Sequence, residues 1–502
     1  MILQQRLEKL IHSAGNVPQA GHVTLLNMQK LIILFITLCA AAPAIAQRKI
    51  ACIGASITYG ATVPDREHNS FPAQLQALLG KDYIVNNYGV SGTTLLSSGD
   101  HPYIKTNEYQ QALQSNPDIV FIDLGGNDSK LINRVHMAEY EADYHALIKS
   151  FTQLPSHPRI ILLGPVVSFV TDTTGIWDAV IVKKVIPHMQ QVALQEGLEM
   201  LDMHPLLIDK PELLPDNIHP NAAGSGIMAK RLYEQLMVQR DAAFDIFKQL
   251  TVPTTVSAFY SYACADFTLD NHACKVVKPK WAAKGHPWIW RARFWGHEPQ
   301  TDIALLERGY HVVYCDVAEL LGNRVAIQTW NHFYDLLQKA GLARKAAMEG
   351  MSRGGVYVFN WAAENPDKVA CVYVDNPVLD LKSWPGGLGQ VKPDANVLPQ
   401  LKADYGITTD AQLQQFKGSP VDKVKDIVKG KYPILILCAD ADEAVPPAEN
   451  TLLFERKVKE LHGNITVMHK PGFKHHPHSL PNPSPIIEFT LSAVTPALFI
   501  VQ

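Results

Sequence analysis

Along the first half of the chain, short apolar runs alternate with longer amphipathic segments. Residues 50–54 (IACIG), 83–89 (YIVNNYG), 118–126 (DIVFIDLGG) and 159–167 (RIILLGPVV) read as strands, and residues 71–80 and 139–151 read as helices between them. Apolar runs this continuous belong to strands buried on both faces, so the rhythm predicts a parallel sheet covered by helices on each side. Near residue 250 the pattern changes. Residues 257–269 and 272–279 form a strand-rich opening around a hairpin, and residues 287–296 (PWIWRARFWG) read as another strand. A helix over 329–341 follows, then a strand, turn and helix over 345–366, with further buried strands at 368–375 and 432–440. Residues 380–428, rich in Gly, Pro and Lys, break that rhythm and read as a lid.

At 502 residues and 47% hydrophobic content, the chain is too long for one core and reads as two α/β domains, 47–245 and 256–502. Residues 1–46 are set apart. From Met28, a short basic start, the apolar run 31–41 and Ala44-Ile45-Ala46 compose a secretory signal, and residues 1–27 read as extra sequence before it. The apolar run is shorter than the ~20 residues a bilayer span needs. Leu38 before Cys39 is too bulky for a lipid-attachment pattern. The expected location is therefore the periplasm or the exterior, without membrane insertion of the mature chain. The net charge of −3, with no long basic run, argues against nucleic acid as a partner. Of seven cysteines, six follow the signal, too few to frame the fold with disulfides. Cys52, Cys315, Cys371 and Cys438 sit in apolar runs as small core residues, and Cys264 and Cys274 could pair across the hairpin.

Candidate chemistry sharpens both halves. Ser56 follows the first strand on a turn bounded by Gly54 and Gly60, and NYGVSG supplies Gly92, LGGND supplies Asn127, and DNIHP supplies Asp216 and His219. A serine hydroxyl needs a base, an orienting acid and donors for the oxyanion. Asp216 and His219, three apart, place carboxylate beside imidazole if the segment makes one helical turn. Each block alone is common in turns and helix starts; their order, behind strand-like runs, carries the reading. These blocks resemble the SGNH or GDSL family of serine esterases from Ile50 to about residue 240. The resemblance implies a three-layer sandwich, an oxyanion hole from Ser56, Gly92 and Asn127, and a Ser56–His219–Asp216 triad. One departure is Ala55, where the family's GDS motif has aspartate.

In the second half, Gly350, Ser352 and Gly354 form a G-x-S-x-G nucleophile elbow in a strand–turn–helix setting, and this half resembles the α/β-hydrolase superfamily over almost its whole length. That order implies Asp442 as acid, with Asp375 as runner-up, and His475 as base, with His476 and His478 nearby. The implied oxyanion donors are the backbone of Arg353 and of Arg293 or Phe294. A zinc reading of HHPH lacks a second ligand cluster in the sequence, so neither metal nor cofactor is expected. Trp288, Trp290 and Trp295 read either as core or as a platform for sugar rings.

Two serine-hydrolase halves in one exported chain suggest a carbohydrate esterase acting on acylated glycans. Rival readings are a peptidase or non-carbohydrate esterase in the second half, or one half serving as a silent glycan-binding module.

Overall fold

The first apolar runs become strands β1 (Arg48–Gly54), β2 (Tyr83–Gly89), β3 (Ile119–Asp123), β4 (Arg159–Gly164) and β5 (Glu199–Asp202) in a computed structural model that describes residues 47–494. All pair in parallel, in the order β2-β1-β3-β4-β5. Successive residues of β1 point to opposite faces: Ala51 and Ile53 enter one core, Ile50 and Cys52 the other. Both faces are covered at the centre, which is why residues 50–54, 119–122 and 160–163 are apolar without alternation, while the edge strand β2 carries Asn86 and Asn87 and is only partly buried. In such a sheet the ligand crevice lies beyond the carboxyl ends of the strands, where the order reverses beside β1.

A short strand, β6 (Arg240–Asp241), leads into the second half, whose strands are β7 (Thr255–Phe259), β8 (Tyr262–Leu269), β9 (His272–Val277), β10 (Ala282–Ala283), β11 (Trp288–Arg291), β12 (His311–Cys315), β13 (Ala346–Met351), β14 (Val369–Asp375), β15 (Ile434–Ala439) and β16 (Ile465–Lys470). Nine of them form one sheet in the order β16-β15-β14-β13-β11-β12-β9-β8-β7, parallel from β16 to β12 and antiparallel beyond. The β8–β9 hairpin turns on Asp270 and Asn271, with φ of 50° and 64°, values that Asx side chains tolerate.

Two readings the sequence left open are decided here. Cys264 stands opposite Val277 and Cys274 opposite Phe267, so the register puts them out of reach of each other, and both are free and buried. The nearer partner of Cys274 is Cys315, directly across on β12. The tryptophans form no platform. Trp288 and Trp290 are fully buried, with Trp290 4.4 Å from the ring of Trp330, while Trp295 lies past the strand against Phe259 and Tyr314.

The two halves pack as one body joined by polar contacts. β6 pairs with β10, far along the chain. Arg231 and Glu307 form an ion pair at 2.9 Å with each side chain only 4% exposed, and the Asp202 N–H donates to the same Glu307 carboxylate at 2.7 Å. Arg308 reaches Glu234 at 3.4 Å, and Lys280 donates to the Ala193 carbonyl at 2.9 Å. Buried charges are tolerated only when paired and hydrogen-bonded, which fixes how the faces meet.

The segment 380–428, expected to form a lid, carries three short helices, Leu398–Tyr405, Asp410–Gln415 and Val424–Ile427, within turns and irregular chain, and packs Leu401, Ile407 and Leu413 against Leu321, Val356 and Val378. No helix among the described residues is long and apolar enough to cross a membrane. The proposed signal and the segment before it lie outside the described residues.

Candidate active sites

Strand β1 ends at Gly54, where any Cβ would collide with Thr58 Oγ1 and the Asp123 carbonyl. The chain can turn tightly there because the glycine has no side chain, and the helix Ser56–Tyr59 begins at once. His219 Nε2 lies 2.8 Å from Ser56 Oγ, and its Nδ1 lies 2.6 Å from Asp216 Oδ2. Nucleophile, base and orienting acid are thus in contact.

Asp216 and His219 do not form the helical turn that their spacing suggested. Asn217 takes a φ of 68°, and Asp216 Oδ1 accepts the N–H groups of Ile218 and His219 at 3.1 and 2.7 Å, a side-chain-closed turn. The helix starts later, at Ala222, capped by Asn221. Burial raises the Asp216 carboxyl, but the His219 N–H, the His219 ring and the Ile218 N–H outweigh it and hold the acid below its ordinary range.

Gly92 follows β2 with a φ of 85°, and Asn127 follows β3 on a tight turn. Asn127 Nδ2 donates to the Thr93 carbonyl at 3.0 Å, tying the two loops together. Asp128, unremarked in the sequence beyond its place in a turn, is fully buried and accepts from the N–H groups of Leu95 and Leu96 at 3.1 and 2.8 Å, holding the Gly92 loop from behind. Asp123 accepts from Thr58 Oγ1 at 2.8 Å beneath Ser56; burial pushes its carboxyl up to about 6, the Thr58 hydroxyl opposing. The position of Ala55 is held by its own N–H, which donates to the Asp123 carbonyl at 3.2 Å. Ser56 and Asn127 open onto a small cavity of about 30 Å³, walled by Ile57, Val167, Ile176 and Ile218.

In the second half, Ser352 sits between β13 and the helix Gly354–Glu364 with a φ of 49°. Flanking glycines are needed because a Cβ at Gly350 would meet the Gly354 backbone at 2.8 Å. His475 Nε2 lies 2.9 Å from Ser352 Oγ, and its Nδ1 lies 2.7 Å from Asp442 Oδ2. Asp442 Oδ1 accepts from Ala444 and Val445 N–H groups at 2.9 and 2.8 Å. Asp375 is engaged elsewhere: its carboxylate binds Lys470 at 3.0 Å, the Ser479 N–H at 2.6 Å and His478 at 3.3 Å. His476 is exposed beside them, and Trp384 of the lid segment stands 5.7 Å from the Arg353 guanidinium.

Arg291, which ends β11, escaped sequence reasoning. Its guanidinium is buried against Asp302 at 2.7 Å and Glu349 at 3.2 Å, and it donates to the carbonyls of Phe294 and Glu298 at 3.3 Å each. It therefore pins the loop 292–298 next to the residue after the nucleophile. Burial drives the Glu349 carboxyl well up, with Arg291 opposing. The only sequence signal was a pair of charges inside two apolar strands.

Residues 52–227 match the GDSL-like Lipase/Acylhydrolase family, and residues 331–485 match the Prolyl oligopeptidase family. An acetylxylan esterase of Xylanibacter ruminicola is 38% identical over 200 residues, covering 36% of this chain and 42% of the relative. The chain thus spans less than half the length of that protein. Among solved structures, an acylaminoacyl peptidase of Pyrococcus horikoshii is 18% identical over 50% of this chain and 43% of its own, with a TM-score of 0.36. An S-formylglutathione hydrolase of Agrobacterium tumefaciens is 13% identical over 48% of this chain and 98% of its own, with a TM-score of 0.35. The chain carries a GDSL-like acylhydrolase domain followed by an α/β-hydrolase domain of the prolyl oligopeptidase type.

Proposed function

We propose that the chain is an exported carbohydrate esterase in which Ser56 removes acetyl groups from a glycan. The observation that carries this reading is the Ser56–His219–Asp216 relay opening onto a small pocket with apolar walls, suited to a short acyl group. Ser56 Oγ attacks the ester carbonyl as His219 Nε2 takes its proton. Asp216, facing Nδ1, holds the imidazole in the tautomer that leaves Nε2 free and stabilises the imidazolium. Asn127 is a neutral amide donor on the rim of the same cavity, suited to the developing oxyanion. Proton return from His219 releases the sugar alkoxide as an alcohol, and water then cleaves the acetyl-serine. The acetylxylan esterase relative supports an acetylated polysaccharide as substrate.

The second site has the same relay, and the family matched over 331–485 favours a distinct reading for it: acyl transfer from a bulkier ester or a peptide-like amide at Ser352. The test is acetate release from acetylated xylan, alongside hydrolysis of bulky acyl esters and peptide amides, by Ser56→Ala and Ser352→Ala. Ser56→Ala is expected to lose acetate release and keep the other activity. Full acetate release by Ser56→Ala in a folded protein would end the assignment.

A further inference from the structure

The loop after β16 gathers three imidazoles. One ring nitrogen from each of His475, His476 and His478 lies within 4.8 Å of the others, and the ring centres are 4.7 to 5.0 Å apart. Three imidazoles on a tetrahedral zinc, with Zn–N near ~2.0–2.1 Å, hold their ring centres roughly 5 Å apart. His297, from the loop after β11, stands farther off, 6.2 and 6.0 Å from the rings of His476 and His478.

Orientation supports the same conclusion. Nδ1 of His475 faces Asp442 and Nδ1 of His478 faces Asp375. For His478 this is how metal-ligating histidines are usually held, with a carboxylate on one nitrogen and the other turned outward, whereas the second nitrogen of His475 faces Ser352 at 2.9 Å, so an ion there competes with the nucleophile for it. His476 is exposed, which gives an ion a path in from solvent.

We propose that His475, His476 and His478, with His297 beside them, bind a divalent transition-metal ion of the zinc class, and that the bound ion switches off Ser352. The inference rests on reading His475 as the base of that site. His475 Nε2 faces Ser352 and its Nδ1 faces Asp442, so coordination through either nitrogen breaks the relay. Imidazole ligands select zinc, copper or nickel over magnesium and calcium. A rival cluster, Cys438, Asp440 and His469, is less suited, because burial pushes the Cys438 thiol up to about 11 and a metal must first displace that proton.

The test uses the full chain carrying Ser56→Ala, whose remaining hydrolysis of a p-nitrophenyl ester belongs to Ser352. Zinc is expected to abolish that hydrolysis, a chelator to restore it, and magnesium to leave it unchanged. Adding His476→Ala is expected to keep the uninhibited rate while raising the zinc needed for half-inhibition by at least about tenfold. Binding is read separately, without turnover, by competition with a chromogenic zinc chelator on the Ser56→Ala, Ser352→Ala double variant. Zinc capture lost with His476→Ala and kept with His469→Ala supports the proposal. The reverse pattern, no capture at all, or capture without inhibition overturns it. Absence of residual ester hydrolysis in Ser56→Ala sinks the Ser352 reading, and the chelator competition then decides the ion site by itself.

Discussion

Asp123→Asn is expected to stabilise the protein at neutral pH. The carboxyl is buried beneath Ser56 with one side-chain partner, the Thr58 hydroxyl at 2.8 Å, and an asparagine carbonyl can accept that bond unchanged. Its pKa in the fold is pushed up to about 6 from 3.8, chiefly by burial, so between those values the native state holds a proton that the unfolded chain has released. Stability from this group is therefore full below 3.8 and declines as pH rises through about 6. At 1.36 kcal/mol per pH unit, the gap amounts to about 3 kcal/mol lost above pH 7. Asn carries no charge to desolvate, so the variant should recover about 1–3 kcal/mol near pH 8 and almost nothing near pH 4. Urea unfolding of both proteins at the two pH values measures this, with fluorescence and acetate release as parallel probes in case the halves unfold separately. Equal differences at both pH values, or a loss near pH 8, would refute the assignment of a burial-strained carboxylate.

Asp442→Asn should fold normally yet lose ~10⁴-fold in turnover at Ser352, because His475 is left in the wrong tautomer. Asp375→Asn should act on stability through the Lys470 it leaves unpaired, and a larger loss of turnover from Asp375→Asn would reverse the choice of acid. Glu307→Ala strips Arg231 of its buried partner and the Asp202 N–H of its acceptor, so it should cost about 3–5 kcal/mol in thermal or urea unfolding. A cost below about 1 kcal/mol would mean that water reaches the junction between the halves.

What could be read in the sequence was what short stretches encode. The nearly continuous apolar runs gave β1, β3 and β15 because a strand buried on both faces leaves few polar positions. Ser352 was visible because the elbow needs glycines within two residues, and His219 because its partner lies three residues away. Contacts set by distant pairing were not visible. Nothing local says that Asp128 turns inward to two loop amides, or that Arg231 meets Glu307 across 76 residues. The same holds for His297, brought beside the histidine loop by β11 and its neighbours. Spacing also misled: Asp216 and His219 suggested a helical turn, while an aspartate closing its own backbone turn satisfies the same separation. The tryptophans show the limit of alternation along a strand, which cannot tell an outer face from a second core.

Ser352 holds a backbone conformation, φ 49°, that costs an L-residue about 1 kcal/mol or more relative to glycine. At this position stability and chemistry favour different amino acids. A lineage with no use for the hydroxyl would gain folding energy by drifting to glycine, a change that needs no repacking of neighbours. Ser56, on an ordinary helix start, is under no such pull. The second nucleophile is thus the one whose presence is a running expense, and sampling natural variants of this chain at 352 offers a record of use: glycine would accumulate wherever the site had fallen idle, and serine would persist only where it is still at work.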